Sequence, residues 1–153
     1  MTCASGRPGD LSHPYKSICG TEQHRAEFLA MAADPVVRIL VVDDEPIIRL
    51  DARDILQDAG YVVLEASSAD EALRILQAQA TEAILTDIEM PGSLDGLALA
   101  SEVDGGMPDV AIIVMSGRRL PRRDQLPLKA TFLAKPFTPS LLLQRVAEAL
   151  VEI

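Results

Sequence analysis

Short runs of aliphatic and β-branched residues recur along the chain, each bounded by polar residues, glycine or proline. Such runs are typical of strands buried on both faces of a parallel sheet. The run Tyr61–Ala66 alternates between apolar and polar positions, which suits a strand at the sheet edge. We therefore predict five strands, of which the first begins at Arg38 and ends before Asp43. The other four are Tyr61–Ala66, Ala83–Asp87, Val110–Met115 and Thr131–Ala134.

Stretches with apolar residues at helical spacing separate these strands. The first helix begins near Pro46 and ends at Gly60, and the second opens with a capping box over Ser68–Glu71. A short helix is predicted from about Gly96 to Val103, and a final helix is capped by Thr138 and begins at the proline that follows it. The residues predicted to face the core are Ile48, Ala52, Ile55, Leu56, Ala59, Ala72, Leu73, Leu76, Leu142, Val146 and Leu150.

The alternation of strands and helices predicts the fold class. It argues for βαβ units, and hence for an α/β doubly wound sheet of five parallel strands with helices on both faces. One segment fits less well. Arg118–Ala130 should hold the fourth helix, but Pro121 and Pro127 allow barely two turns between them. We therefore predict a short or irregular helix there.

Domain organisation follows from the same pattern. Residues 1–34 are predicted to be an N-terminal tail, flexible or partly helical, and residues 35–153 one folded domain that ends with no room for an effector domain. Met31 leads directly into the first strand, which suggests the hypothesis that it is the natural start. N-terminal mass analysis of the native protein tests this hypothesis, and a mature chain that begins at Met1 or Thr2 would contradict it.

Composition excludes several functions. The net charge of −9 argues against direct nucleic-acid binding, which depends on neutralising phosphates. No apolar run approaches the roughly 18 residues of a membrane helix, and no signal-peptide core is present. The two cysteines, Cys3 and Cys19, lie in the tail, and a reduced state is the simpler interpretation. We expect a cytoplasmic protein without membrane insertion.

The candidate chemistry collects where strands end. Asp43 and Asp44 follow the first strand, Asp87 ends the third, Ser116 follows the fourth and Lys135 follows the fifth. If the strand order is 2-1-3-4-5, these side chains converge at the carboxyl edge of the sheet, where open α/β sheets bind ligands. A lone aspartate at a strand end is more often a helix cap. The combined pattern therefore carries the inference.

Three clustered carboxylates repel one another and must share a proton, recruit Lys135 or bind a cation. Oxygen ligands favour a hard ion, Mg²⁺ first and Mn²⁺ next. Both histidines, His13 and His24, lie in the tail, which disfavours a histidine-based zinc site. Lys135 and the Ser116 hydroxyl suit a phosphate group, and a carboxylate can act as a nucleophile toward it.

The motifs are Asp43-Asp44, Asp87-x-x-Met90-Pro91, Ser116-Gly117 and Lys135-Pro136-Phe137. In this order and spacing they are similar to the receiver domain of two-component response regulators, over about residues 36–151. The resemblance implies a flavodoxin-like sheet with strand order 2-1-3-4-5. It further implies a single-domain response regulator.

The resemblance also implies a role for each site residue. Asp87 would be the phosphoacceptor. Asp43 and Asp44 would organise Mg²⁺, with Asp44 as the direct ligand of the pair, and Asp87 and the backbone carbonyl of Glu89 would complete the coordination. Ser116 and Lys135 would contact the phosphoryl group. Phe132 falls at the aromatic switch position of the family, and the Lys135–Pro136 bond is typically cis.

The implied mechanism is phosphoryl transfer to Asp87 from a sensor histidine kinase or a phosphotransfer protein. The phosphorylated state would then signal to a downstream target protein through a population shift. The protein would catalyse only its own phosphorylation and dephosphorylation, and so would not be a turnover enzyme. We expect a monomer, with phosphorylation-dependent dimerisation left open.

The chain departs from the family pattern at three places. The loop Met90–Gly96 is one residue longer than the commonest form, the fourth helix is interrupted by prolines, and Phe132 lacks the hydroxyl of a tyrosine. Two alternatives stay open: a pseudo-receiver that acts as an interaction module without phosphorylation, and a flavodoxin-type cofactor binder or other phosphotransferase. No glycine-rich phosphate loop follows the first strand.

Overall fold

The five predicted strands form one parallel sheet in the order β2-β1-β3-β4-β5. The computed structural model describes residues 35–152, so the predictions for the tail lie outside the described residues. Both the parallel sheet and its predicted order are confirmed. The strands are β1 (Arg38–Val42), β2 (Val62–Ala66), β3 (Ala83–Asp87), β4 (Ala111–Ser116) and β5 (Thr131–Ala134).

In the described part of the chain, four α-helices connect and cover the strands. Thr138 caps the last helix as predicted, because its hydroxyl oxygen accepts the Leu141 N–H at 3.2 Å. Within residues 35–152, no helix is long and apolar enough to cross a membrane. The helices are α1 (Pro46–Asp58), α2 (Ala69–Ala78), α3 (Gly96–Gly106) and α4 (Pro139–Val151).

The segment between β4 and β5 forms only a single 3₁₀ turn, Arg123–Gln125. This turn lies between Pro121 and Pro127, so the predicted short or irregular helix is confirmed. Each proline lacks the N–H that would continue a helical ladder, which limits the segment to one turn.

Several predicted local features differ from the structure. β2 begins one residue later than predicted, β4 is shifted by one residue toward its carboxyl end, and Ala59, predicted to face the core, is exposed at the end of α1. The helix α3 continues three residues past the predicted Val103, because Gly105 and Gly106 weaken a helix without ending it. The capping box at α2 forms only in part. Ser68 Oγ accepts the Glu71 N–H at 3.2 Å, but the Glu71 carboxylate turns to Ser67. There it accepts both the backbone N–H and the hydroxyl at 2.9 Å, which the Ser68 N–H alone would not match.

The alternation of side chains along the strands divides the core between the two faces of the sheet. Leu40 and Val42 of β1 pack on the face that α2 and α3 cover. Ile39 and Val41 pack on the opposite face, which α1 and α4 cover. The central strands are therefore buried on both faces, and the polar residues at their carboxyl ends are held on a rigid base.

Candidate functional site

The carboxyl edge of the sheet brings the predicted site residues together. Asp43 follows β1, and Asp87 ends the neighbouring β3. Ser116 ends β4 opposite Ala134 of β5, so Lys135 lies one residue beyond that pair. Carboxylate oxygens of Asp43, Asp44 and Asp87 all lie within 4.8 Å of one another. The strand order thus places the three acids and the lysine at one point.

Asp43 is the most constrained of the three acids and is fully buried, with 0% of the residue exposed. One carboxylate oxygen accepts the Glu45 N–H at 2.9 Å and the other accepts Lys135 Nζ at 2.7 Å. Its backbone N–H donates to the Ala66 carbonyl, and its own carbonyl accepts Arg49 Nη1 at 2.7 Å. Every polar group of Asp43 is therefore paired within the protein.

Lys135 lies between two aspartates. Its Nζ is 2.7 Å from Asp43 and 3.4 Å from Asp87. Burial lowers the pKa of Lys135, but the hydrogen bond and charge of Asp43 and the charge of Asp87 outweigh burial, so the pKa is raised overall. Lys135 is therefore held as a cation beside the two carboxylates.

Asp87 is 6% exposed, and its surroundings disfavour the ionised form of its carboxyl group. Burial is the largest cause that raises its pKa, and the charge of Asp43 raises it further. The Lys135 ammonium and a hydrogen bond from the Glu89 N–H favour the ionised form without cancelling these effects. A carboxylate in this position gains from any further positive charge that reaches it.

Two of the three acids, Asp44 and Asp87, border a cleft of about 570 Å³ that opens to solvent, whereas Asp43 is buried behind them. Asp44 is more exposed than Asp43, and its carboxylate lines the cleft. Because the donor set consists of carboxylate oxygens, it suits a hard divalent cation. Asp44 and Asp87 are better placed to bind one than Asp43, whose two oxygens already accept hydrogen bonds. The side chains therefore fit the predicted Mg²⁺ ligands, whereas the role of the Glu89 carbonyl stays a prediction.

Ser116 and Phe132 occupy different surroundings. Ser116 is 5% exposed and lines the cleft, and its hydroxyl oxygen accepts the Arg119 N–H at 3.1 Å. Phe132 is partly buried and packs against the hydrophobic cluster under α2 and α3. The structure thus places the serine at the site and the phenylalanine in the neighbouring core. The Lys135–Pro136 bond is cis.

Two further residues shape the site, and the sequence reasoning missed both. Arg49 donates to the Asp43 carbonyl, and its only sequence signal was a cation in the first turn of the helix after the acidic pair. Gly96 packs against the backbone that follows the third aspartate. A Cβ at this position would overlap the Asp87 carbonyl oxygen and lie 2.9 Å from the Ile88 Cα. The Asp95-Gly96 dipeptide at the start of a helix was the available signal.

Comparison with known proteins identifies the family. The sequence model of the response regulator receiver domain family matches residues 39–147. The chain belongs to the response regulator receiver domain family. The receiver domain is the part of two-component systems that carries the phosphoacceptor. Its five-stranded fold and the acidic cluster at the carboxyl edge agree with this assignment.

Relatives of the receiver domain differ in length. This chain is 31% identical over 112 residues to the transcriptional regulatory protein PdtaR of Mycobacterium tuberculosis. The alignment covers 71% of this chain and 54% of that protein. The chain therefore spans about half the length of this curated relative. A receiver protein from Sinorhizobium medicae WSM419 has a TM-score of 0.72 and 32% identity, covering 76% of this chain and 95% of that one.

A second similar structure carries ligands. The response regulator TrrA of Thermotoga maritima, in complex with Mg²⁺ and a beryllium fluoride, has a TM-score of 0.67 and 32% identity. The alignment covers 74% of this chain and 99% of that one.

Proposed function

We propose that the protein is a single-domain response regulator that accepts a phosphoryl group on Asp87 in a Mg²⁺-dependent reaction. The observation that carries the proposal is the position of the Asp87 carboxylate. It ends a buried strand, faces a solvent-open cleft, and lies 3.4 Å from Lys135 Nζ with two more carboxylates within 4.8 Å. This arrangement holds a nucleophilic oxygen beside the charges that a transferring phosphoryl group requires.

In the proposed transfer, a carboxylate oxygen of Asp87 attacks the phosphorus of a phosphohistidine. A bond forms between oxygen and phosphorus, the bond between phosphorus and nitrogen breaks, and its electron pair leaves with the imidazole. Lys135 offsets the negative charge on the transferring group. In the separate dephosphorylation step, water attacks the phosphorus of the aspartyl phosphate, and the bond between phosphorus and the Asp87 oxygen breaks to release inorganic phosphate and the carboxylate. The protein then acts only on its own carboxylate and is not a turnover enzyme.

Asp44 and Asp87 would hold the Mg²⁺ ion directly, with the Glu89 carbonyl as the predicted third protein ligand. When bound, a divalent cation neutralises charge on the acids and on the phosphoryl oxygens. Mn²⁺ shares this ligand preference. Asp43 would orient Lys135 through its 2.7 Å hydrogen bond, which leaves Asp44 and Asp87 to face the cleft.

Ser116 would pass the phosphorylation signal from the site to the segment after β4. Its hydroxyl oxygen accepts the Arg119 N–H at 3.1 Å, so a rotation toward a phosphoryl oxygen on Asp87 would break that bond. The segment after β4 would then lose one anchor, and Phe132, packed beside β4, would have room to turn inward. A ligand that favours one of two such states shifts their populations.

The proposed partners are a sensor histidine kinase or phosphotransfer protein as donor and a downstream target protein as receiver of the signal. We propose a cytoplasmic monomer that associates, if at all, after phosphorylation. Light scattering before and after treatment with acetyl phosphate tests the oligomeric state, and a stable dimer without the donor would contradict it.

The decisive experiment is intact-mass analysis after incubation with acetyl phosphate, with Mg²⁺ and with a chelator. We expect one phosphoryl adduct on the wild type that requires Mg²⁺ and is lost in Asp87→Asn. Asp109→Asn is the matched control, because Asp109 is exposed on a turn before β4, at the opposite edge of the sheet. This variant should form the adduct as the wild type does.

Other outcomes assign other functions. A folded wild type that takes no phosphoryl group with any divalent ion would overturn the proposal in favour of a pseudo-receiver. An adduct that persists in Asp87→Asn would place the acceptor elsewhere. A flavin absorbance band in the purified protein would favour a flavodoxin-type cofactor binder.

A further inference from the structure

Arg49 lies in the first turn of α1, behind the acidic cluster rather than in the cleft. Its side chain is 19% exposed. Nη1 donates to the Asp43 carbonyl at 2.7 Å, and Nε donates to a Glu65 carboxylate oxygen at 3.3 Å. One guanidinium thus joins the end of β1 to the edge strand β2. Its planar set of donors makes this double contact, which a lysine ammonium would not reproduce.

The Asp43 carbonyl needs this partner. The Asp43 N–H still donates to the Ala66 carbonyl and so extends the ladder between β1 and β2. The carbonyl of the same residue accepts its hydrogen bond from Arg49 instead, at the point where the chain leaves the strand. Because Asp43 is fully buried, an unpaired carbonyl here would carry the desolvation penalty of a buried acceptor.

The peptide plane that carries the Asp43 carbonyl also carries the Asp44 nitrogen. A hydrogen bond that fixes this plane therefore limits the direction in which the Asp44 side chain leaves the backbone. The next turn of the chain is held by the Glu45 N–H, which donates to the Asp43 carboxylate at 2.9 Å. Arg49 is thus the outer support of a two-residue turn whose inner side borders the cleft.

We propose that Arg49 is a positioning residue that holds the Asp43–Asp44 turn in the orientation required for divalent-cation binding. The proposal rests on the proposed function only for its Mg²⁺ readout. Partners outside the ligand shell commonly change metal affinity by orienting the ligands. Arg49 would act in this way through a backbone carbonyl, without touching the ion or the phosphoryl group.

The sign of the effect separates positioning from simple electrostatics. Arg49 is a cation close to a cation site, so its charge alone opposes Mg²⁺ binding. Removing the charge would then tighten binding. Removing the support of the turn would instead weaken it. The two explanations predict opposite changes for Arg49→Gln.

Arg53 offers a matched control on the same helix. It lies one turn after Arg49 and also pairs with Glu65, at 3.5 Å, and its second partner is Asp54 at 2.9 Å. Its hydrogen bonds go to these two carboxylates and not to Asp43. Arg53→Gln therefore removes a neighbouring cation and a Glu65 contact while it leaves the support of the turn in place.

The first measurement is the Mg²⁺ affinity of the unphosphorylated protein by isothermal titration calorimetry. We expect Arg49→Gln and Arg49→Lys to bind Mg²⁺ about tenfold more weakly than the wild type, the lower range for an outer support of a metal site. Arg53→Gln should stay within about twofold, as expected for an exposed ion pair. Unchanged or tighter Mg²⁺ binding by a folded Arg49→Gln protein would overturn the proposal.

The second measurement needs no metal. Amide hydrogen exchange in the presence of a chelator reports on the Glu45 N–H, which closes the turn. Exchange should become faster in both Arg49 variants and stay unchanged in Arg53→Gln. Unchanged exchange at Glu45 in the Arg49 variants would refute the positioning role. If the wild type binds no Mg²⁺ or forms no adduct, the proposed function fails, and this exchange measurement still decides the role of Arg49.

Discussion

Replacing Asp87 by asparagine is expected to make the protein more stable at neutral pH, although it removes the proposed phosphoacceptor. Asp87 is 6% exposed, and the pKa of its carboxyl group is raised, chiefly by burial and then by the charge of Asp43. The folded state therefore disfavours the ionised form that predominates at neutral pH. An amide of nearly the same shape removes this charge.

The magnitude follows from the distances. At an effective dielectric constant near 20, the carboxylates of Asp43 and Asp87 within 4.8 Å repel by about 3.5 kcal/mol or more. Attraction to Lys135 at 3.4 Å is about 5 kcal/mol on the same scale. These terms largely offset each other, so the cost of burying the ion decides the sign. We expect the free energy of unfolding to rise by about 1–2 kcal/mol, and the Tm by roughly 3–8 °C.

The effect should depend on pH in a defined direction. A carboxyl group whose pKa is raised on folding contributes stability that is fully present below the unfolded pKa, near 3.9, and is lost as pH rises through the folded pKa. The wild type should therefore approach the stability of Asp87→Asn as pH falls from 7 toward about 4. Mg²⁺ should also reduce this difference in stability, because it should bind the folded wild type more tightly than it binds Asp87→Asn.

Urea unfolding followed by circular dichroism suits this test, because the chain has no tryptophan. The measurements are made with a chelator at several pH values, with Asp109→Asn as the exposed control. That control should change the free energy of unfolding by less than about 0.5 kcal/mol. An Asp87→Asn protein less stable than the wild type at pH 7, or a difference that does not vary with pH, would refute the reasoning.

Three further predictions use the same urea assay. Lys135→Met should lower stability by about 3 kcal/mol, because it leaves the fully buried Asp43 carboxylate without its cation, and a loss below about 1 kcal/mol would contradict this. Gly96→Ala should cost about 2–3 kcal/mol through overlap with the Asp87 backbone carbonyl oxygen, whereas Gly105→Ala, with open space at its Cβ, should be neutral or stabilising; equal effects would argue against the overlap. Thr138→Ala should cost about 1 kcal/mol through loss of the cap of α4, and Thr138→Ser should retain most of that stability.

Features that depend on a few neighbouring residues were predictable from the sequence. The bounds of β3 and β5 agree with the prediction, and a charged residue ends the first of these strands and follows the second, Asp87 and Lys135 respectively. Pro121 and Pro127 limited the fourth helix for a steric reason that holds in any fold. The proposed roles of the site residues came from motif order, and the structure adds their distances and charges without testing those roles.

The sequence by itself determined the alternation of strands and helices, the acidic and basic residues at the strand ends and the starts of the helices, because periodicity, proline geometry and caps act locally. Only the tertiary structure decided which groups meet. Glu71 turned to Ser67 because two donors were in reach there, and Arg49 found the Asp43 carbonyl because β1 and α1 are packed together. Such contacts depend on how neighbouring elements pack or on competition between nearby donors. The spacing of residues places Arg49 and Glu71 in the first turns of their helices, but it does not select their partners.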